Sequence, residues 1–499
     1  MVCTLGCSAL GLMGGRQRNA DLLNYHLYNG YAFLEGRLDQ DLAPAGPYTY
    51  LNPLLDAVHY LGYRHVKPIV FVALLAALQG LNVVLVWAIA RRVLGAHRPW
   101  LAALATLLAA TGQNAVSLLG TPFGDNTVSI PALGALLLLM GANRPGYRRV
   151  FLAAVAGSAA VGLKLTMAAP HLGLGALVAW MAWRQRRPGL LVAFGLGSAV
   201  GWGLMNGWWA LQLWRRFGNP FFPVLNGFFR SPFSVTGWLA DPRWPPREIL
   251  DWLRPPLDAA LGVSHRLQEV GFRDPRFLLA FLAFVPLGLR SLHRTPTAGG
   301  VADSPWPSAR DLGIFWLTAY GAWLAVFHYY RYATVLELLA PVLALALLAE
   351  AWPRRIAAVA PALALVVLLT TSVSRWAPDR GWRPEWFHPR LPAAASEPGQ
   401  LVLLLDATTS FAVPFFPRET TFVDLAYRAG HGPAMRQAIA ERLLLHEGPL
   451  RALQRQPAHG ETLGDYGLAV VDGTCAAVRL GPTGGPLQLC RLCRTPPPP

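Results

Sequence analysis

The 499-residue chain is 54% apolar and 14% charged, with a mean hydropathy of +0.35. At this length the balance describes membrane spans joined by short polar loops and excludes a string of ordinary soluble domains. The net charge of +16 comes from arginines gathered between apolar runs, as the positive-inside rule places them, so we read no nucleic-acid interface from it.

A span needs about 20 apolar residues. Runs meeting or approaching that length recur near 68–90, 100–119, 128–142, 150–168, 169–183, 188–213, 276–290, 312–328, 333–352 and 356–374. With a short opening run at 1–14 they predict an α-helical polytopic membrane protein of roughly eleven transmembrane helices. Arg91, Arg92 and Arg98, then Arg144, Arg148 and Arg149, then Arg184, Arg186 and Arg187, and finally Arg354 and Arg355 mark the cytoplasmic loops. By alternation the first loop (15–67), the turn at Thr121–Thr127, the long loop 214–275, the turn at His328–Tyr332 and the tail 375–499 face outward. Arg16 and Arg18 fall on the outer side and the opening run is short, so the first helix is expected to begin upstream of Met1. No basic segment precedes that run, as a signal peptide would require.

The first loop opens with "NADLLNYHLYNG", and a helix starting near Asn19 would put Asp21, Tyr25 and Tyr28 on one face, with Asn24 beside them and His26 following. A carboxylate among amide and phenol groups is suited to act as a general base on a hydroxyl, or to bind a polar headgroup. Glu35, Arg37, Asp39 and Asp41 follow, then "PAGPYTYLNPLLD" ending in Asp56, whose Pro, Gly and Asn content predicts an irregular folded loop. The plain alternative is a solvated loop, but the density of aromatics with carboxylates exceeds what solubility needs.

Farther on, "GDN" places Asp125 in a loop of a few residues at the outer face, and "GLKLT" places Lys164 inside an apolar run. A lysine there costs roughly 2.5–3.5 kcal/mol on insertion scales and needs a carboxylate or phosphate partner, unless it snorkels to the interface. "HYYRYATVLELL" puts Arg331 at the outer end of a span, suited to grip a phosphate, with Glu337 nearly two turns inside as a partner for Lys164. "GNPFFPVLNGFFRSPF" fits a re-entrant or interfacial segment beside lipid chains, or ordinary aromatic packing.

The tail changes character. "QLVLLLD" at 400–406 and "YGLAVVDG" at 466–473 read as strands, 432–455 as a helix, and "CAAVRL…LQLCRL" as a hairpin, which makes 375–499 a small α/β domain outside the membrane. There Cys475 is expected to pair with Cys490 or Cys493, a zinc site being the alternative. No Walker or Rossmann loop, His-Glu-x-x-His or Gly-x-Ser-x-Gly is present, so ATP-driven transport and the common hydrolase chemistries lack support.

An acidic residue directly after the first span (Asp21 in "ADLLNYH"), a large first outer loop, roughly eleven spans and a trailing soluble domain resemble the GT-C superfamily of membrane glycosyltransferases. Phrases such as "NYHLYNG", "NPLLD", "GLKLT" and "GNPFFP" look like those of bacterial membrane proteins with this layout. The resemblance implies a membrane domain 1–374 and an extracytoplasmic domain 375–499 in a bacterial inner membrane. It implies inverting transfer of a sugar from a polyprenyl-phosphate carrier to an acceptor glycan, lipid or protein, with Asp21 as base, Arg331 and after it Lys164 as the phosphate-binding cation, and Asp125 matching a second-loop acid by position; Asn24, Tyr25, His26, Asp41 and Asp56 of the first loop are the further candidate substrate-binding residues. Some relatives of this kind use a divalent metal on Asp-x-Asp, which "DQD" (Asp39, Asp41) matches loosely; we assign no metal. Two other classes compete. A transporter or flippase of a lipid-linked saccharide would use Lys164, Glu337 and Arg331 as a charge relay, and an assembly scaffold would use the tail for contacts.

Overall fold

The computed structural model describes residues 2–95, 97–141, 144–237, 248–263, 267–292, 307–455, 459–481 and 485–495. Residues 238–247 and 264–266 of the expected 214–275 loop lie outside the described residues. The chain is mostly helical, and among the described residues four helices are long and apolar enough to cross a membrane: Pro68–Val93, Leu165–Gln185, Gly189–Phe217 and Tyr330–Ala351. Cys3–Gly14, Pro99–Ala110, Asp125–Met140, Arg276–Leu289 and Ile356–Thr370 are shorter apolar helices. The expected run 100–119 breaks after Ala110 and resumes as a separate short helix, Gln113–Ser117.

Two compact units divide the chain. One comprises Met1–Gly15, Val72–Gly207 and Pro242–Trp376; the other comprises Arg16–Phe71, Trp208–Asp241 and Ala377–Pro499. The expected boundary at 374/375 sits next to one of these crossings. The first loop, however, folds with the tail rather than with the helices around it in sequence.

In the helical unit the Thr334–Ala351 helix is central, buried on every side except at Glu350. Its Leu/Ala/Val composition lets it pack all round, as a helix surrounded by other helices must. Trp316 donates its indole N–H to Leu336 O (2.9 Å), one turn before Pro341 interrupts the ladder. Elsewhere helices close on small residues: a Cβ at Gly197 or Gly201 would overlap the Phe151 and Val155 carbonyls, so this Gly-x-x-x-Gly pair lets Gly189–Trp202 lie against Tyr147–Leu163.

The second unit is built on a mixed sheet. A small ribbon, β1 (Arg16–Gln17) and β2 (Pro378–Asp379), is antiparallel and is held by Arg16 on Asp379 (2.6 Å). The main sheet contains β3 (Leu401–Leu404), β4 (Thr421–Asp424), β5 (Leu450–Gln454), β6 (Leu468–Val470), β7 (Ala476–Val478) and β8 (Leu487–Arg494). The order is β4-β3-β5-β8-β6 with β7 also on β8; β4, β3 and β5 are parallel and the rest antiparallel. β3 is buried along its whole length, as its unbroken apolar run requires in a parallel sheet. The expected helix at 432–455 is half right: Pro433–Leu444 is helical, but Leu450–Gln454 pairs between β3 and β8, where its apolar side chains are buried. β4 was not expected, because "TFVD" is too short to show a period. Cys475 is bonded to Cys490.

The first loop is stitched to the β4 edge. Leu42 bridges in parallel to Val423, and its amide donates to Phe422 O (2.9 Å). Tyr50, Phe217 and Phe222 form one aromatic group, with Phe217 and Phe222 stacked at 4.0 Å. The Phe-rich 218–233 segment is therefore packed into this unit in part, while Phe228 is left 81% exposed.

Candidate functional site

Asn19 caps the first loop's helix by accepting from Leu22 N (2.8 Å), and the next turn, Leu22–His26, is a π-turn headed by Asp21. A π-turn carries an extra residue and often marks a functional position. It also changes the expected face. Tyr25 remains with Asp21, its hydroxyl 3.3 Å from Oδ2, but Tyr28 is rotated away and donates to Asp41 Oδ2 (3.0 Å) from a buried position. Asn24 donates to the Tyr427 hydroxyl (2.9 Å), and the Ser410 hydroxyl donates to Asn24 O. Tyr25 and Tyr48 stack with centroids 5.3 Å apart and rings 17° from parallel; Tyr427 meets Tyr48 edge-on at 6.0 Å. Asp21, Tyr25, Tyr48 and Tyr427 are all half-buried. Burial raises the Tyr427 phenol, reinforced by Tyr48, Asp424 and Asp21, so it stays protonated around neutrality.

His26 and Asp56 lie behind this group as a buried pair, Nδ1 to Oδ1 at 2.6 Å, while His26 Nε2 is buried without a hydrogen-bond partner. Asp56 thereby orients the imidazole. Asp41 has a structural role. Its two oxygens accept from Arg37 Nε and an Arg37 amine (2.7 Å each), from Tyr28 and from Phe422 N (3.0 Å), which leaves no capacity for a substrate. Asp39 is engaged by Arg216 instead, with its side chain 81% exposed. The two acids of "DQD" are thus committed to different arginines and do not form a metal pair.

Three further expected residues meet in the helical unit. Lys164 reaches Asp125 Oδ1 and Phe123 O at 2.7 Å each, so its partner is Asp125 and not Glu337. Arg331 pairs with Glu269 (3.0 Å) and lies 4.1 Å over the Phe123 ring. Asp125 and Arg331 are 0% and 5% exposed, and a low-dielectric setting explains why each cation carries a carboxylate. Glu337 caps the short helix by accepting from Asn114 N and Ala115 N (2.9 Å each). Nearby Asp274 accepts from Gln113 N (3.0 Å) and pairs with Arg276 (2.9 Å), which also reaches Leu108 O (2.7 Å).

Sequence reading missed Tyr48, Tyr427 and Glu269. Tyr427 follows the end of β4, and ligand-facing groups gather at the carboxyl ends of parallel strands; recognising "TFVD" as a strand would have pointed to it. Glu269 had no signal, since its partner is 62 residues away. No protein-family model, curated protein or solved structure matches the chain.

Proposed function

We propose that the chain is a membrane glycosyltransferase of GT-C layout, with roughly eleven spans and its α/β unit on the extracytoplasmic face of a bacterial inner membrane. It transfers a sugar from a polyprenyl-phosphate carrier to an acceptor hydroxyl with inversion. Asp21 takes the acceptor O–H proton as the acceptor oxygen bonds to C1; the C1–O bond to phosphate breaks, and its electron pair leaves on the polyprenyl phosphate. Within the helical unit Arg331 and Lys164 are the cations suited to a lipid-linked phosphate, and there they are paired with Glu269 and Asp125. The observation that carries the reading is Asp21 itself: a half-buried carboxylate heading a π-turn, against a tyrosine hydroxyl, in a loop held by folded structure rather than left to solvent.

The test is turnover of a panel of polyprenyl-phosphate sugars by the full chain and its Asp21→Asn variant. Loss of the base should lower the rate on the order of 10²–10⁴-fold with the fold intact. Equal rates would remove Asp21 from the chemistry. The transporter alternative would use Lys164, Glu337 and Arg331 as a charge relay. Lys164 is paired with Asp125 and Arg331 with Glu269, while Glu337 accepts from two backbone amides, which suits structural roles better than a relay.

A further inference from the structure

A groove of about 510 Å³ lies within the helical unit, lined by the helices Leu81–Val93, Asp125–Met140 and Tyr147–Leu163. Its floor is written in the sequence. Ile130, Gly134, Leu137 and Gly141 recur at helical spacing and form the face that neighbouring helices leave uncovered, whereas Leu133, Leu136 and Met140 on the other side are buried. Gly134 deepens the groove, since no atom lies within 4 Å of the place its Cβ would take. Leu85 and Ala156 line it from the two flanking helices. At one end stands Arg149, half-buried in the first turn of Tyr147–Leu163, with Nη1 3.8 Å from the place a Cβ on Gly141 would take.

The groove has the proportions of an acyl chain and the counter-charge of a phosphate. At 1.5 Å per residue, Ile130 to Gly141 spans about 16 Å, close to half of the ~30 Å hydrocarbon thickness and so about one leaflet. Pro68–Val93, which supplies Leu85, is long and apolar enough to cross a membrane, so lipid is what meets an open groove on its flank. No carboxylate among the described residues pairs with Arg149. A guanidinium beside apolar walls is costly until an anion meets it, and its planar fork fits phosphate. Arg91 and Arg92 in the last turn of Leu81–Val93, with Arg144 and Arg148 next to Arg149 in sequence, mark this end as the cytoplasmic one by the positive-inside rule. Basic pockets between helices on that side suit anionic headgroups. We propose that the groove is a site for an anionic glycerophospholipid of the cytoplasmic leaflet, with one acyl chain along Gly134 and the phosphate on Arg149. The site is independent of Asp21 and of the transferase reading.

The experiment is native mass spectrometry of the delipidated full chain in detergent, titrated with phosphatidylglycerol or with phosphatidylcholine carrying the same chains. Phosphatidylglycerol should be retained in preference to phosphatidylcholine. Arg149→Gln should weaken phosphatidylglycerol about tenfold, the scale of one bond to a charged group, and erase the preference. Arg148→Gln, at the exposed neighbour, should have a much smaller effect. Gly134→Phe, which puts a ring into the open space, should weaken both lipids. A melting curve in detergent checks that this variant is folded; if it is not, Gly134→Leu replaces it. Equal retention of the two lipids, an Arg149→Gln effect no larger than that of Arg148→Gln, or binding unchanged by filling the groove at Gly134 would overturn the proposal. So would a dimer of the chain that the substitution at Gly134 dissolves, because the groove would then hold a helix of a second copy.

Discussion

Replacing Arg37 by Ala separates a structural role for Asp41 from a substrate-binding one. In the folded chain Arg37 is 1% exposed and makes two bonds to Asp41, one to Arg418 O (2.8 Å) and one to Thr420 O (2.7 Å). Its removal leaves the buried Asp41 carboxylate with only Tyr28 and Phe422 N, and leaves two strand-edge carbonyls without this donor. Breaking a buried pair from one side costs about 3–5 kcal/mol, far above the ~0–1 kcal/mol of an exposed pair. The double replacement Arg37→Met with Asp41→Leu removes both charges and should recover most of that loss. Thermal melts of the three proteins give the size, and hydrogen exchange locates it, with lost protection expected at residues 37–42 and 418–425. A loss below about 1 kcal/mol for Arg37→Ala, or a double variant no better than the single, would refute the assignment.

Other expectations follow from the same contacts. Gly112→Ala pushes a Cβ into Glu337 Oε1 and should displace the cap on Gln113–Ser117, costing about 1–3 kcal/mol in a melt as overpacking does. Cys475→Ala opens a loop of 15 residues and should lower stability by about 3 kcal/mol; mass spectrometry without reduction should find Cys475 joined to Cys490. Arg331→Lys loses the two-pronged contact with Glu269 and the stacking on Phe123, and should weaken binding of a polyprenyl phosphate in a vesicle flotation assay. For Asp379, burial favours the neutral form, but the Gly381 amide, Arg16 and Arg18 outweigh it and hold the carboxyl below the usual range. Its stabilisation is therefore complete above that range and lost as pH falls through the depressed value, so the acid fall in melting temperature should be shallower in Asp379→Asn.

What could be read from the sequence followed range. Apolar runs announce helices because burial in a bundle or in lipid needs only local composition, and β3 declared itself in the same way through "LVLL". Asp21, Lys164 and Arg331 stood out because charge next to apolar chain is expensive wherever the chain folds. Partner identity could not be read. Lys164 had two carboxylates to choose from, and the choice of Asp125 over Glu337 depends on where Lys164 leaves its helix, just after Leu163, so that it reaches the Phe123 turn. Tyr28 was misplaced for a subtler reason: one extra residue in a turn rotates everything after it, and nothing in "LLNYH" distinguishes a π-turn from an ordinary one.

The tail bears on the scaffold alternative. Its β4 edge, the place where an added strand from a partner would dock, is taken by Leu42 of the same chain. The Arg418 and Thr420 carbonyls beside that edge accept from Arg37 and Gln40. Tyr427, presented by the turn after β4, is bonded to Asn24 in the π-turn that Asp21 heads. Those contacts make the tail a support for the first loop, since a loop of that length with Gly36, Gly46, Pro47 and Pro53 would otherwise have no reason to fix Asp21 in one place. A surface used to orient a carboxylate suits chemistry at that carboxylate better than a purely adhesive role, and this is the physical ground for preferring an enzyme over a scaffold.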